Sequence, residues 1–290
     1  MAQFPHLSSP QQPLRRQRSW LRVLLIGIIL FVITTLILSV TGNPNLYPTV
    51  ILIGNFLVPV VFVAFLYDHR HLSALDPVTV ASSFVLGGIL GVLGASVLEA
   101  FLLPVPSNPN AGLPLSTAFL VGLIEEGCKI AAVAFLARRT PHTSEMDGLL
   151  LGGAVGMGFA ALESTGYAFT VFLASGGHVS VSIIETVIRG LIAPFGHGTW
   201  TGILGAVLFQ QSTKQHFRIT RLVLLTYLFV SLLHGLWDGL PHSIYLIVWP
   251  GIPLSLTTLG IGLLGIILLI VVYRRSIRQQ LALLRARPLP

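Results

Sequence analysis

Charge is what this chain has least of. Only 9% of its 290 residues are Asp, Glu, Lys or Arg while 53% are hydrophobic, whereas a soluble domain carries roughly 25% charged residues. That deficit excludes a water-solvated surface. Cysteine is almost missing: Cys128 stands alone, so no intrachain disulfide can form, and inside an apolar run it reads as a small packing residue. A nucleotide-binding loop, a nucleic-acid module, a soluble partner domain and a long internal repeat are also absent. The formal charge of +7 is carried by basic residues in short loops and tails beside hydrophobic runs, a distribution that signals topology rather than nucleic-acid binding.

What the chain has is apolar length. Runs of about 20 apolar residues, each enough to cross roughly 30 Å of hydrocarbon, recur along it. Spans are expected at 21–40, 50–67, 78–103, 116–137, 148–174, 181–209, 222–240 and 254–273. The fold class is therefore an all-α integral membrane protein, a bundle of about eight transmembrane helices with the lipid bilayer as its solvent. The first run is longer than a signal-peptide core and is followed by Thr41-Gly42-Asn43-Pro44 rather than a small-x-small cleavage pattern, so it reads as a retained helix. Residues 1–19 read as a disordered basic tail, 20–274 as the membrane domain, and 275–290 as a basic amphipathic tail on the cytoplasmic lipid surface. Arg70, Arg138, Arg139, Lys214, Arg218, Arg221, Arg274, Arg275 and Arg278 fall in alternate connections, while 43–47, 104–114, 176–178 and 241–253 hold no Lys or Arg. Both termini are thus expected in the cytoplasm, with the chain in the cell membrane. Gly87 and Gly91, Gly152 and Gly156, and Gly198 and Gly202 have the spacing that lets membrane helices approach closely.

Ionisable side chains inside such spans each cost at least about 2.5–3.5 kcal/mol, so they call for a function or a partner. Glu125, Glu126 and Lys129 lie in the fourth span, Glu163 in the fifth, Glu185, Arg189 and His197 in the sixth, and His234 and Asp238 in the seventh. At 1.5 Å rise per residue from the basic end, Glu125 and His197 lie roughly 18 Å deep, His234 about 20 Å and Glu163 about 22 Å. Four helices placing polar groups at one level imply a shared site beyond the midplane. Two carboxylates offer a base for water, and the imidazoles can bind a divalent metal or donate to an oxyanion. Glu and His around an open position also describe a catalytic zinc site.

Glu125-Glu126-x-x-Lys129, Phe159-x-x-x-Glu163, Arg189 with Pro194 before His197, and His234-x-x-x-Asp238 resemble the successive motifs of the PrsW family of intramembrane proteases, related to the type II CAAX prenyl proteases. The resemblance covers the four-helix core at about residues 116–240. It implies an endopeptidase acting on a membrane-anchored protein near the extracytoplasmic face, as in the first cut of an anti-sigma factor. It makes Glu125, Glu126, Glu163, His197, His234 and Asp238 the catalytic set, with Lys129 and Arg189 supporting. It further implies a metal, zinc by chemistry, on Glu163, His197 and His234, whereas the CAAX relatives activate water with Glu and His alone. Glu163 stands where those relatives have a histidine, which leaves metal dependence open.

Plainer readings stand beside these. Glu185 and Arg189, spaced i,i+4, can form a structural ion pair. Lys129 can simply neutralise a glutamate, Asp238 and Glu99 can sit at the interface, and Pro194 can kink the sixth span just before His197. A proton-coupled transporter and a non-catalytic scaffold are the competing functions. No repeated halves with matching helix breaks favour the first, and paired buried carboxylates are superfluous in the second.

Overall fold

In the computed structural model the described residues are 18–70, 73, 75–104, 113–142, 144–240, 245–249 and 252–285. The tail readings at 1–17 and 286–290 and the loop readings at 105–112, 241–244 and 250–251 lie outside them. Helices account for nearly everything described, because a backbone surrounded by hydrocarbon must bond within itself. They are α1 (Ser19–Thr41), α2 (Tyr47–Asp68), α3 (Pro77–Ser82), α4 (Gly88–Leu102), α5 (Leu115–Ala137), α6 (Glu145–Ala174), α7 (Val179–Ile192), α8 (His197–Gln211), α9 (Arg221–Gly239) and α10 (Leu256–Arg285). Among the described residues, 7 segments are long and apolar enough to cross a membrane: Ser19–Thr41, Pro44–Asp68, Pro77–Leu102, Glu145–Ala174, Val179–Gln211, Arg221–Gly239 and Leu256–Ala282. Their 23-residue neighbour α5 is set apart by its three charges, Glu125, Glu126 and Lys129, yet it packs against α4, α6, α8 and α9 inside the same bundle. The chain is a multi-pass membrane protein.

Burial ranks the helices. Of the apolar stretch of α6, 83% is buried, against 6% for α1. Thus α6 is the central post and α1 a lipid-facing outer helix. Glycine makes the post possible: a Cβ at Gly152 would stand 2.3 Å from the carbonyl oxygen of Thr201, and one at Gly156 2.3 Å from that of His197. Backbone therefore lies on backbone between α6 and α8, the most extensive contact in the bundle, with α5 on α9 next. On the other side of α6 a π-turn at Ser83–Gly87 joins α3 to α4 and brings the Phe84 carbonyl against Gly158.

The sixth span departs from the single kinked helix expected at 181–209. It is two helices, α7 and α8, separated by a 3-10 turn at Ala193–Phe195 and by Gly196. Pro194 has no amide hydrogen to offer, and Gly196 at φ −111°, ψ −113° leaves helical geometry. The hydroxyl of Thr199 donates to the freed Pro194 carbonyl at 2.6 Å, and the amides of Thr199 and Trp200 both bond the Gly196 carbonyl at 3.0 Å. His197 consequently opens a new helix rather than lying within an old one.

Two more boundaries differ from expectation. An antiparallel pair of short strands, β1 (Tyr245–Trp249) and β2 (Ile252–Ser255), occupies part of the connection expected to be an unstructured loop, and the last span begins after it at Leu256. Helix α10 then continues unbroken to Arg285, so the basic segment extends the last span rather than forming a separate surface helix. Contacts gather the basic connections at one end of the bundle: Ser19 donates to Asp68 at 2.6 Å, Tyr273 to the His69 carbonyl at 2.9 Å, and Arg275 Nε to the fully buried Glu145 at 2.8 Å.

Candidate active site

The fourth span supplies the first three groups on one face, because positions i, i+1 and i+4 of α5 turn toward α8 and α9. Lys129 is wholly buried, and its ammonium spends its three hydrogens on Glu125 Oε2 at 3.0 Å, Glu126 Oε1 at 2.8 Å and His197 Nδ1 at 2.8 Å. The ring of Phe159, the first residue of the second motif, lies 4.0 Å from the same nitrogen. A buried cation held on three sides fixes the relative positions of α5 and α8.

The two adjacent glutamates are not equivalent. Glu126 is fully buried, and both its oxygens are occupied: Oε1 by Lys129 and by His234 Nδ1 at 3.2 Å, Oε2 by the Thr201 hydroxyl at 2.9 Å. Glu125 instead reaches the wall of an open cavity. Its Oε2 lies 3.5 Å from His234 Nε2 and 3.8 Å from His197 Nδ1. His234 Nε2 also stands 3.3 Å from Asp238 Oδ2, one helical turn on.

His197 Nε2 meets Glu163 Oε2 at 3.1 Å, and the Arg189 guanidinium donates to that same oxygen at 3.1 Å. Arg189 thus pairs with Glu163 across two helices rather than with Glu185 on its own. It also donates to Ser164 Oγ at 3.2 Å and lies over the Tyr167 ring. Apart from Pro194, every residue singled out in the four motifs therefore joins one continuous cluster built from α5, α6, α7, α8 and α9. Glu185 lies outside it, half-buried on α7.

Thr201 and Trp200 were not legible from sequence. Thr201 lies one turn after His197 and Trp200 packs against both imidazoles, 5.8 Å from His197 and 4.9 Å from His234 by ring centres. The i+4 spacing from His197 was the only available signal for Thr201.

The cavity measures about 830 Å³. Its walls come from α4, the first half of α5, the second half of α6, the last turns of α7 and α9 and the first turn of α10, so it lies in the half of the bundle away from the basic connections. Apolar side chains such as Val92, Val121, Ile188 and Ile192 make most of the lining, and Glu99, Glu125, Glu163, Arg189 and Asp238 provide its charged groups. Glu99, given an interfacial place on sequence grounds, belongs to this wall.

One donor atom each from Glu125, His197 and His234 falls within 4.8 Å of the others, close enough to hold one metal ion. Glu163 stands outside that set, engaged with Arg189 and His197. A carboxylate with two imidazoles is a donor set suited to zinc, and His234 already gives its second nitrogen to Glu126, the arrangement that orients a metal-bound imidazole. The charges agree: Glu125, Glu126, Glu163 and Asp238 face only Lys129 and Arg189, a formal excess of two negative charges that a divalent ion would balance. The residues present fit a metal. Lys129, which bonds two of the three donors, competes for the same lone pairs.

No curated protein and no solved structure matches the chain. A family model described as PrsW family intramembrane metalloprotease matches residues 77–273, extending beyond the four motif-bearing spans to include α3, α4 and most of α10. With more than half of its length matched and the motif side chains drawn into one buried cluster beside a cavity, this chain belongs to the PrsW family of intramembrane metalloproteases.

Proposed function

We propose that the chain is an endopeptidase that cuts a membrane-anchored protein near the extracytoplasmic face of the cell membrane, with Glu125 as the group that activates water. The observation that carries this reading is the unequal placement of the paired glutamates. Glu126 is saturated by Lys129, His234 and Thr201, while Glu125 reaches an 830 Å³ cavity large enough for a short extended peptide. A group that must accept a proton from water needs access to it, and only one member of the pair has that access.

Glu125, His197 and His234 would hold the metal. When bound, a zinc ion there supplies Lewis-acid polarisation and makes water more acidic. The protein's own groups divide the remaining work. With Oε2 of Glu125 turned toward the two histidines, its other oxygen is the proton acceptor. Glu126 fixes the orientation of the His234 ring through Nδ1, Glu163 does the same for His197 through Nε2, and Asp238 faces the His234 nitrogen that a metal would take. Arg189, in the wall and anchored on Glu163, is placed to donate to an oxygen that becomes negative during the reaction. Apolar walls limit bulk water around the scissile bond.

Cleavage of a membrane-anchored reporter by purified protein, together with metal content per chain, tests the reading. Glu125→Gln is expected to lower the rate by roughly 10²–10⁴ while the protein stays folded, whereas Glu185→Gln retains substantial activity. Full activity in Glu125→Gln would move the role to Glu163. A fully active protein free of zinc and other divalent metals would remove the metal from the mechanism.

A further inference from the structure

Glu99 is a half-buried acidic group that none of the four motifs explains. It stands in the last turn of α4, where the partial negative charge of the helix end disfavours a carboxylate. Its Oε1 is enclosed and has no hydrogen-bond partner among the described residues, and an intramembrane carboxylate without a partner is costly. Val92, Ala95, Ser96 and Glu99 recur at helical spacing along the cavity wall, so one stripe of α4 runs beside the site with Glu99 on it.

The cations nearby are already committed. Lys129 has spent its hydrogens on Glu125, Glu126 and His197, and Arg189 bonds Glu163 and Ser164. A divalent ion on Glu125, His197 and His234 would balance the four-carboxylate cluster but leave Glu99 as it is. The wall thus presents one acidic group with no counter-charge, next to apolar surface and small side chains that leave room for an extended peptide.

Resting on the protease reading, we propose that Glu99 is a specificity-determining residue that accepts the ammonium or guanidinium of a Lys or Arg side chain in the substrate segment beside the scissile bond. The substrate brings a counter-charge for Glu99, since Arg189 in the same wall is already paired with Glu163. Entry of that side chain satisfies Glu99 and at the same time fixes the peptide along the α4 stripe, so that one bond lies over Glu125.

The test uses full-length protein in liposomes and membrane-anchored reporters whose juxtamembrane positions are scanned with Lys, Gln and Glu. At one position wild type should favour Lys over Gln by about tenfold or more, the worth of one charge-assisted hydrogen bond. The preference should fall close to unity in Glu99→Gln and turn toward Glu in Glu99→Lys. A second arm measures binding of the Lys and Gln segments, as fluorescent peptides, to Glu125→Gln protein with and without Glu99→Gln, and expects the same preference without any cleavage. A Lys preference that survives Glu99→Gln, or no preference for Lys at any position in either arm, overturns the proposal. Selective binding without cleavage by wild type would instead count against the protease reading.

Discussion

At the scale of single residues, the site is governed by how many hydrogen bonds each buried group can satisfy. Lys129 has three donors and three acceptors, and Glu126 has both oxygens filled, so neither has freedom to move without leaving a buried group unpaired. Thr201 is the neutral member of this set. Replacing it by Val keeps the shape but removes the 2.9 Å bond to Glu126, which loosens the carboxylate that orients His234. A hydrogen bond to a charged group is worth about 1.5–3 kcal/mol, so Thr201→Val is expected to reduce kcat by about tenfold or more with KM little changed. Thr201→Ser should restore most of the rate. A change in KM alone, or no rescue by Ser, would make Thr201 a packing residue only.

At the scale of elements, the break between α7 and α8 and the α6–α8 contact act together. The first places His197 at the start of a helix, and the second holds that start against Gly156 with no room for a Cβ. Gly156→Ala is therefore expected to push α8 away from α6 and to cost about 1–3 kcal/mol of stability. Thermal unfolding in detergent and reporter cleavage should both decline; unchanged values for both would show that the contact gives way without consequence. At the other end of α6, Glu145 is buried and paired with the half-exposed Arg275 of α10. Removing the cation alone strands the carboxylate, so Arg275→Ala should destabilise by about 1–3 kcal/mol. Glu145→Gln in addition should recover part of that loss in the same melt, and a double variant no more stable than Arg275→Ala would show that the pair's charge is not what matters.

At the scale of the whole molecule, the gathering of the basic connections at one end sets an orientation. Ser19 meets Asp68, Tyr273 meets His69, and Arg275 meets Glu145 at that end, while the cavity lies toward the other. By the excess of Lys and Arg, that end is expected to face the cytoplasm and the cavity the extracytoplasmic side. Reporter fusions after Arg139 and at both termini should all report cytoplasm, and fusions after Gly176 the opposite compartment. Both termini on the outer side would reverse the orientation and place the cut on the cytoplasmic face.

The sequence by itself determined that this chain lives in a bilayer and roughly where its apolar runs lie, and it gave Glu125, Glu163, His197 and His234 similar expected depths. These are local properties: transfer cost depends on composition, and depth follows from a fixed rise per residue. Only the tertiary structure decided which faces meet. Glu125 and Glu126 are neighbours in sequence, yet 100° of helical rotation puts one on a cavity and the other among Lys129, His234 and Thr201. Arg189 had an acidic partner on its own helix but took Glu163 on another, and Glu99 came to line the site from outside the motifs. Helix rotation and packing are set by contacts between distant segments, such as the glycine-to-carbonyl approach of α6 and α8, and no window of sequence contains them.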